Sequence, residues 1–414
     1  MTKPHGVSEQ TGTAMATETV ASESSLLQVR IAITTFFALG GFVFAGWAVR
    51  IPAIKEQTAA SASGLGLALL AMSGAAVVTM LGTGKLCERF GSRRVTIATS
   101  LLLSISVLLP ALADSTVKLG VVLLVFGCAY GGIDVAINSV AVDLIAAIRR
   151  PIMASLHAAN SIGSLAGAGL GALVAPYLLP SWHLLLLVPI GLAVTVVAGR
   201  MLLAHPLSRP TNSRDIAESS VKPVPRLRAG ASTSVILFGL IGLCAAYAQG
   251  GMDNWAPLHI VEDLDGGAGV AAAGYAVVQL TIAAGRLSGT VLVERVGQTR
   301  VMVFGGLVAC LGTLLAAWAP SLGLVFIGLA ATGLGLSNIF PAAIAGAGAL
   351  GGPHGVAIAS TLGYGGIMLA PPSIGFVADA FGLPSGLTII AALAAVAMVV
   401  AYTVRHETQR LATA

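Results

Sequence analysis

Glu88-Arg89-Phe90-Gly91-Ser92-Arg93-Arg94 and Glu294-Arg295-Val296-Gly297-Gln298-Thr299-Arg300 are two copies of one polar pattern, set 206 positions apart (88 to 294). Each opens on an acid and an arginine, keeps a glycine in fourth place and closes on a basic residue. Each also lies between two long apolar runs. A polar turn that recurs between apolar segments marks an internal duplication. Trp47 and Trp255, toward the end of the first apolar run of each half, repeat at nearly the same interval, and Trp255 reads as an interfacial anchor. The two halves therefore share one orientation.

Working outward from these turns, apolar runs occupy 29–50, 62–83, 94–113, 118–145, 151–178 and 183–204 in the first half. The second half supplies 232–258, 269–291, 300–318, 321–347, 352–377 and 384–404. A helix needs about 20 apolar residues to cross a bilayer, so these predict twelve transmembrane helices. No run alternates with period two, which excludes a membrane β-barrel. Composition agrees: 56% of the 414 residues are hydrophobic and 9% are charged, against about 25% charged in soluble domains. The expected fold is all-α and integral to the membrane, with twelve helices in two six-helix halves arranged as parallel repeats.

The halves are expected at 29–204 and 232–404. Residues 1–28 are polar, lack the basic start and apolar core of a secretory signal, and read as a disordered cytosolic tail. Residues 205–231 hold four prolines and five basic residues and read as a cytosolic linker, and 405–414 as a second tail. With the N-terminus inside, Arg89, Arg93, Arg94, Arg149, Arg150, Arg295 and Arg300 fall on one side, and the linker and tail cations join them. Arg50, Lys55 and Lys118 fall opposite. That asymmetry predicts an inner or plasma membrane protein with both termini in the cytoplasm. The net charge of +5 thus reflects topology rather than nucleic-acid binding. The four cysteines form no CxxC pair and read as packing residues, so neither disulfide nor zinc is expected.

Gly84-Lys85-Leu86-Cys87-Glu88-Arg89-Phe90-Gly91-Ser92-Arg93-Arg94 resembles the signature loop of the major facilitator superfamily, with Glu88 where aspartate is usual. The resemblance covers nearly the whole chain. It implies a gating role for Gly84, Glu88, Arg89, Gly91, Arg93 and Arg94, and through the repeat for Glu294, Arg295 and Gly297. Contacts made at one face and broken when that face opens would bias alternating access. The competing reading is an orientation signal alone. Gly132-Ile133-Asp134-Val135-Ala136-Ile137-Asn138, Gly333-Leu334-Gly335-Leu336-Ser337-Asn338-Ile339-Phe340-Pro341 and Pro371-Pro372-Ser373-Ile374-Gly375 resemble the fucose permease and YbjJ-like bacterial branch. Gln249 stands where that pattern has glutamate.

Polar groups inside hydrocarbon are costly and mark transport pathways. Asp134 shares a helical stripe with Gly127, Gly131 and Asn138, and reads either as a proton or substrate site or as a structural hydrogen-bonding group. Asp143 reads as a surface ion-pair partner of Arg149 and Arg150. His157, Asn160, Ser161 and Ser164 share a face of the fifth segment, as relay or as interhelical bonds. Gln249 and Asp253 lie on the substrate path, unless Asp253 is hydrated in an outer loop. Asn338 precedes Pro341, and Tyr364 precedes Pro371 and Pro372, where proline bends a helix. Glycines at 163, 167 and 171 and at 285 and 289 read as packing stripes, including between the halves.

The function these features predict is a proton-coupled secondary transporter that moves a small polar or sugar-like solute by alternating access. The alternative is a proton-driven efflux pump for drugs or metabolites, and a membrane enzyme is the remote one. No HExxH or serine–histidine constellation appears, and the seven histidines are scattered, so no enzyme, metal or cofactor is expected. The expected partners are solute, protons and lipid, with no nucleic acid, and the expected state is a monomer.

Overall fold

The computed structural model describes residues 8–148, 152–205 and 229–405. Arg149, Arg150, most of the linker with its basic residues, His5, His406 and Arg410 lie outside the described residues, as does the side chain of His354. The first half is built from α1 (Ser8–Ala48), a short α2 (Ile51–Gln57), α3 (Ala62–Phe90), α4 (Ser92–Ser106), α5 (Thr116–Ile148), α6 (Met153–Val174) and α7 (Pro180–Ala204). The second is built from α8 (Ala229–Glu262), α9 (Ala268–Val296), α10 (Gln298–Trp318), α11 (Leu322–Leu336), α12 (Ile339–Phe381) and α13 (Leu383–Thr403).

Ten helices among the described residues are long and apolar enough to span a membrane. Two further segments bring the number to the twelve expected. One is α6, whose glycines, serines, His157 and Asn160 dilute its hydropathy. The other is the second arm of α12. A methyl group placed on Gly355 would strike the carbonyl oxygen of Ala347, eight residues earlier. Eight residues of straight helix span about 12 Å, so the chain must fold back here, and α12 is a hairpin of two arms. α1 begins at Ser8, upstream of its apolar stretch, where composition predicts a disordered tail; residues 13–38 contain neither proline nor glycine to stop a helix.

The repeated turn owes its glycine to backbone geometry. Gly91 (φ 86°) joins α3 to α4 and Gly297 (φ 92°) joins α9 to α10, both in the positive-φ region that side chains avoid. The glycine stripes bring helix backbones together, but within halves rather than between them. Gly163 and Gly167 seat on Ala38 and Phe42 of α1, Gly127 and Gly131 on Met72 and Ala76 of α3, and Gly285 and Gly289 on Ser337 and Asn338. Trp47 and Trp255 are fully buried, Trp47 beside Phe126 at 6.1 Å, so both are core residues and Trp255 is not an interfacial anchor.

The halves meet along two equivalent seams, α3 against α12 and α6 against α9. Both close at one end only. On α3, a Cβ at Gly66 would lie 2.6 Å from the Pro371 carbonyl oxygen, whereas Gly84, five turns on and on the same face, meets nothing within 4 Å. On α9, a Cβ at Gly269 would lie 3.0 Å from the Ala172 oxygen, whereas Leu287, again five turns on, is 77% exposed. The molecule is a wedge, shut at the end of Lys55 and Glu262 and open at the end of the two repeated turns.

The shut end is latched by side chains from both halves. Lys55 Nζ pairs with Glu262 Oε1 at 2.6 Å. The Asp379 carboxylate accepts from the backbone N–H groups of Ala62 and Ser63, each at 2.8 Å, at the first turn of α3. A carboxylate at a helix N-terminus satisfies orphan donors and faces the positive end of the dipole. Burial acts to raise the Asp379 carboxyl, but the bonds from Ser63 and Ala62 outweigh it and hold it below the ordinary carboxylate value.

Candidate functional site in the cleft between the halves

Midway along the wedge, polar side chains from both halves converge. Asp134 on α5 is half-buried and accepts a hydrogen bond from the Tyr364 hydroxyl of α12, a contact from one half to the other. Asn138, one turn on, donates to the Asp134 backbone oxygen at 2.8 Å and reaches its Oδ1 at 3.4 Å. Tyr130, one turn before Asp134, lies within electrostatic range of both Asp134 and Asp253, the acids of the two halves.

Asp253 lies about two and a half turns inside the end of α8, in the protein rather than in an outer loop. Its Oδ1 accepts from Gln279 Nε2 at 2.7 Å. Arg286 on α9 is exposed to the cleft and within electrostatic range of Asp253. Its Nη2 donates to Gln249 Oε1 at 3.0 Å, and its Nε points to the Ser337 carbonyl at 3.4 Å. The helix break at Ser337 and Asn338, between α11 and α12, frees that carbonyl; Asn338 then donates to the Gly285 oxygen at 2.8 Å and fixes the break against α9. Tyr247 and Ser373 share a hydrogen bond of 2.6 Å nearby on α8 and α12.

From the first half, His157 on α6 is exposed and lies within electrostatic range of Arg286. Phe37 braces its ring edge-on at 5.1 Å. Asn160 donates to the Phe37 carbonyl at 3.1 Å, so it ties α6 to α1. The structure thus gathers Asp134, Asn138, His157, Gln249, Asp253 and Tyr364 around one cleft, and bonds Asn160 to α1 and Asn338 to α9.

The repeated turns lie apart from this cluster, at the open end. Glu88 and Glu294 sit in the last turns of α3 and α9 rather than at a helix N-terminus, and among the described residues neither forms an ion pair. Arg89 stacks over Phe90 at 5.3 Å. Arg93 donates to the carbonyls of Leu202 and His205 at 3.2 and 3.0 Å, fastening α4 to the end of α7, with Asp143 within electrostatic range.

Sequence reasoning missed Arg286, Gln279 and Tyr130. Arg286 carried a signal, being the single charged residue in the Ala268–Gly289 span. Gln279 carried the weaker signal of a neutral amide in the same apolar span, whereas Tyr130 carried none, because a tyrosine in an apolar helix gains meaning only from its neighbours in space.

Two pseudo-equivalent six-helix halves, with a polar cleft between them open at one end, define a multi-pass membrane carrier. The chain belongs to the Major Facilitator Superfamily, whose sequence profile matches residues 31–298 and 267–414. It is 30% identical over 361 residues to an uncharacterised MFS-type transporter of Yersinia pestis, covering 86% of this chain and 91% of that protein. It is 28% identical to the membrane protein MosC of Rhizobium meliloti, covering 87% and 86% of the two chains. Among solved structures it resembles a bacterial homologue of the human lysosomal transporter Spinster, inward-facing and unoccupied, with TM-score 0.77 at 14% identity over 94% of this chain and 98% of that one. It also resembles a D-xylose–proton symporter, with TM-score 0.68 at 13% identity over 90% and 97%. At these identities the structural likeness speaks for the fold alone. The protein is a transporter of this superfamily.

Proposed function

We propose that this transporter is a proton-coupled secondary carrier that moves a small polar, sugar-like solute through the cleft by alternating access. The observation that carries this reading is the joining of Asp134 and Tyr364 across the two halves, with Tyr130 linking them electrostatically to Asp253. A carboxyl that touches the opposite half can couple its proton to the movement of that half. The D-xylose–proton symporter of the same fold supports the substrate class by analogy only, and the branch resemblance to sugar permeases points the same way. We place both termini and the repeated turns in the cytoplasm of an inner or plasma membrane, from the distribution of arginines. On that placement the wedge is cytosol-open, and the unlatched Glu88 and Glu294 fit a gate whose cytosolic contacts are released. The chain acts as a monomer, since one copy holds the whole cleft.

The test is proton movement in proteoliposomes that hold a pH-sensitive dye, challenged with pooled sugars, organic acids and export drugs. A pool that moves protons together with its solute supports the reading, and a response confined to drugs favours the efflux alternative. If labelled solute equilibrates while no pool moves protons, the coupling falls and a uniporter remains.

A further inference from the structure

We infer that the solute carries a carboxylate and that Arg286 receives it, with His157 facing it from the other half. The inference rests on the carrier reading above and adds the charge of the cargo. Arg286 is the only charged residue in its span, and a guanidinium in an apolar span is costly enough to call for a use. An ion pair does not supply that use: among the described residues no carboxylate lies within 4 Å of it. Asp253 is near enough to influence Arg286 but is bonded to Gln279 at 2.7 Å.

The guanidinium is nevertheless held in place. Gln249 Oε1 and the Ser337 carbonyl grip it through Nη2 and Nε, which leaves three of its five N–H donors without an acceptor among the described residues. Arg286 is exposed, so those donors meet the open wedge. A fixed guanidinium fork with free donors suits a planar, bidentate anion. His157 adds a second donor residue from α6, through a ring nitrogen, exposed like Arg286 and braced by Phe37.

A cationic cargo held by Asp134 and Asp253 would be the opposite assignment. Both carboxylates are half-buried and already answered by neutral donors, Tyr364 and Gln279. The charged group turned toward the opening is the guanidinium.

The experiment is equilibrium binding by isothermal titration calorimetry to the purified full chain in detergent, using matched pairs: D-glucuronate with D-glucose, D-gluconate with D-sorbitol, and lactate with 1,2-propanediol. At least one acid should bind about 10-fold or more tightly than its neutral partner. Arg286→Gln should abolish that preference, and Arg286→Lys, which keeps the charge but loses the fork, should fall between. His157→Asn should weaken the same acid without affecting the neutral partner, which keeps the test alive if Arg286→Gln fails to purify as a single species. The inference is overturned if no acid binds, if neutral partners bind equally, or if the Arg286 variants weaken both members of a pair by one factor. Flux separates this from the parent reading. An acid that binds through Arg286 but never crosses proteoliposomes refutes the carrier, while a neutral solute that crosses when no acid does refutes the carboxylate.

Discussion

Asp379→Ala should open the end of the wedge that is shut in this structure. The side chain accepts two backbone N–H bonds at 2.8 Å from Ala62 and Ser63 across the seam, while Ser61 Oγ caps the same turn from within by accepting from Gly64 at 3.0 Å. When the seam parts, the carboxylate and both N–H groups pass to water, so their mutual bonds count only toward the shut state. Each such bond contributes about 1 kcal/mol net at an exposed site, and losing two would shift the ratio of shut to open about 30-fold. The Lys55–Glu262 pair, worth about 0.5 kcal/mol as a partly exposed bridge, would remain. Spin labels at Val117 and Ser321, both exposed at that end of opposite halves, report the opening by double electron–electron resonance once the four native cysteines are replaced. A longer distance should gain population in Asp379→Ala. An unchanged distribution would refute the latch and with it the argument that this carboxylate holds the seam.

Two further outcomes follow from the packing and the charges. Gly163→Ala drives a methyl group into the Ala38 carbonyl and should cost about 1–3 kcal/mol, seen as a lower thermal midpoint in detergent, whereas Gly169→Ala, with nothing within 4 Å, should leave the midpoint unchanged. The Asp379 carboxyl lies below its ordinary value in the shut state, so the latch is fully present above that ordinary value and is lost only as pH falls through the lowered one. The Val117–Ser321 distance should therefore be the same at pH 8 and pH 5, and a distance that lengthens by pH 5 would contradict the assignment.

Much of the fold was legible in the sequence because membrane crossing imposes length and apolarity on each helix separately. The repeated Glu-Arg-x-Gly turn showed the duplication, and its glycines were kept at 91 and 297 by local backbone geometry. What escaped was fixed by contacts across space. Trp255 looks like an interfacial anchor until packing buries it. The partners of the glycine stripes depend on which helices adjoin, and the direction in which the wedge opens is a property of the conformational state. In the cleft, Asp134 could be chosen from its isolation in an apolar helix, but its partner Tyr364 stands 230 residues away and on the other half. Arg286 could have been chosen by the same rule; its grip by Gln249 and Ser337 could not.

The most direct test of the carrier account compares two fluxes in proteoliposomes, using a solute identified by the pooled screen: uphill uptake driven by an imposed pH gradient, and counterflow of labelled against unlabelled solute with no gradient. Wild type should show both, and Asp134→Asn should keep counterflow while losing uphill uptake, because exchange needs only the moving cleft and accumulation needs the proton. Uphill uptake that survives in Asp134→Asn, or a wild type that shows neither flux, would contradict the account.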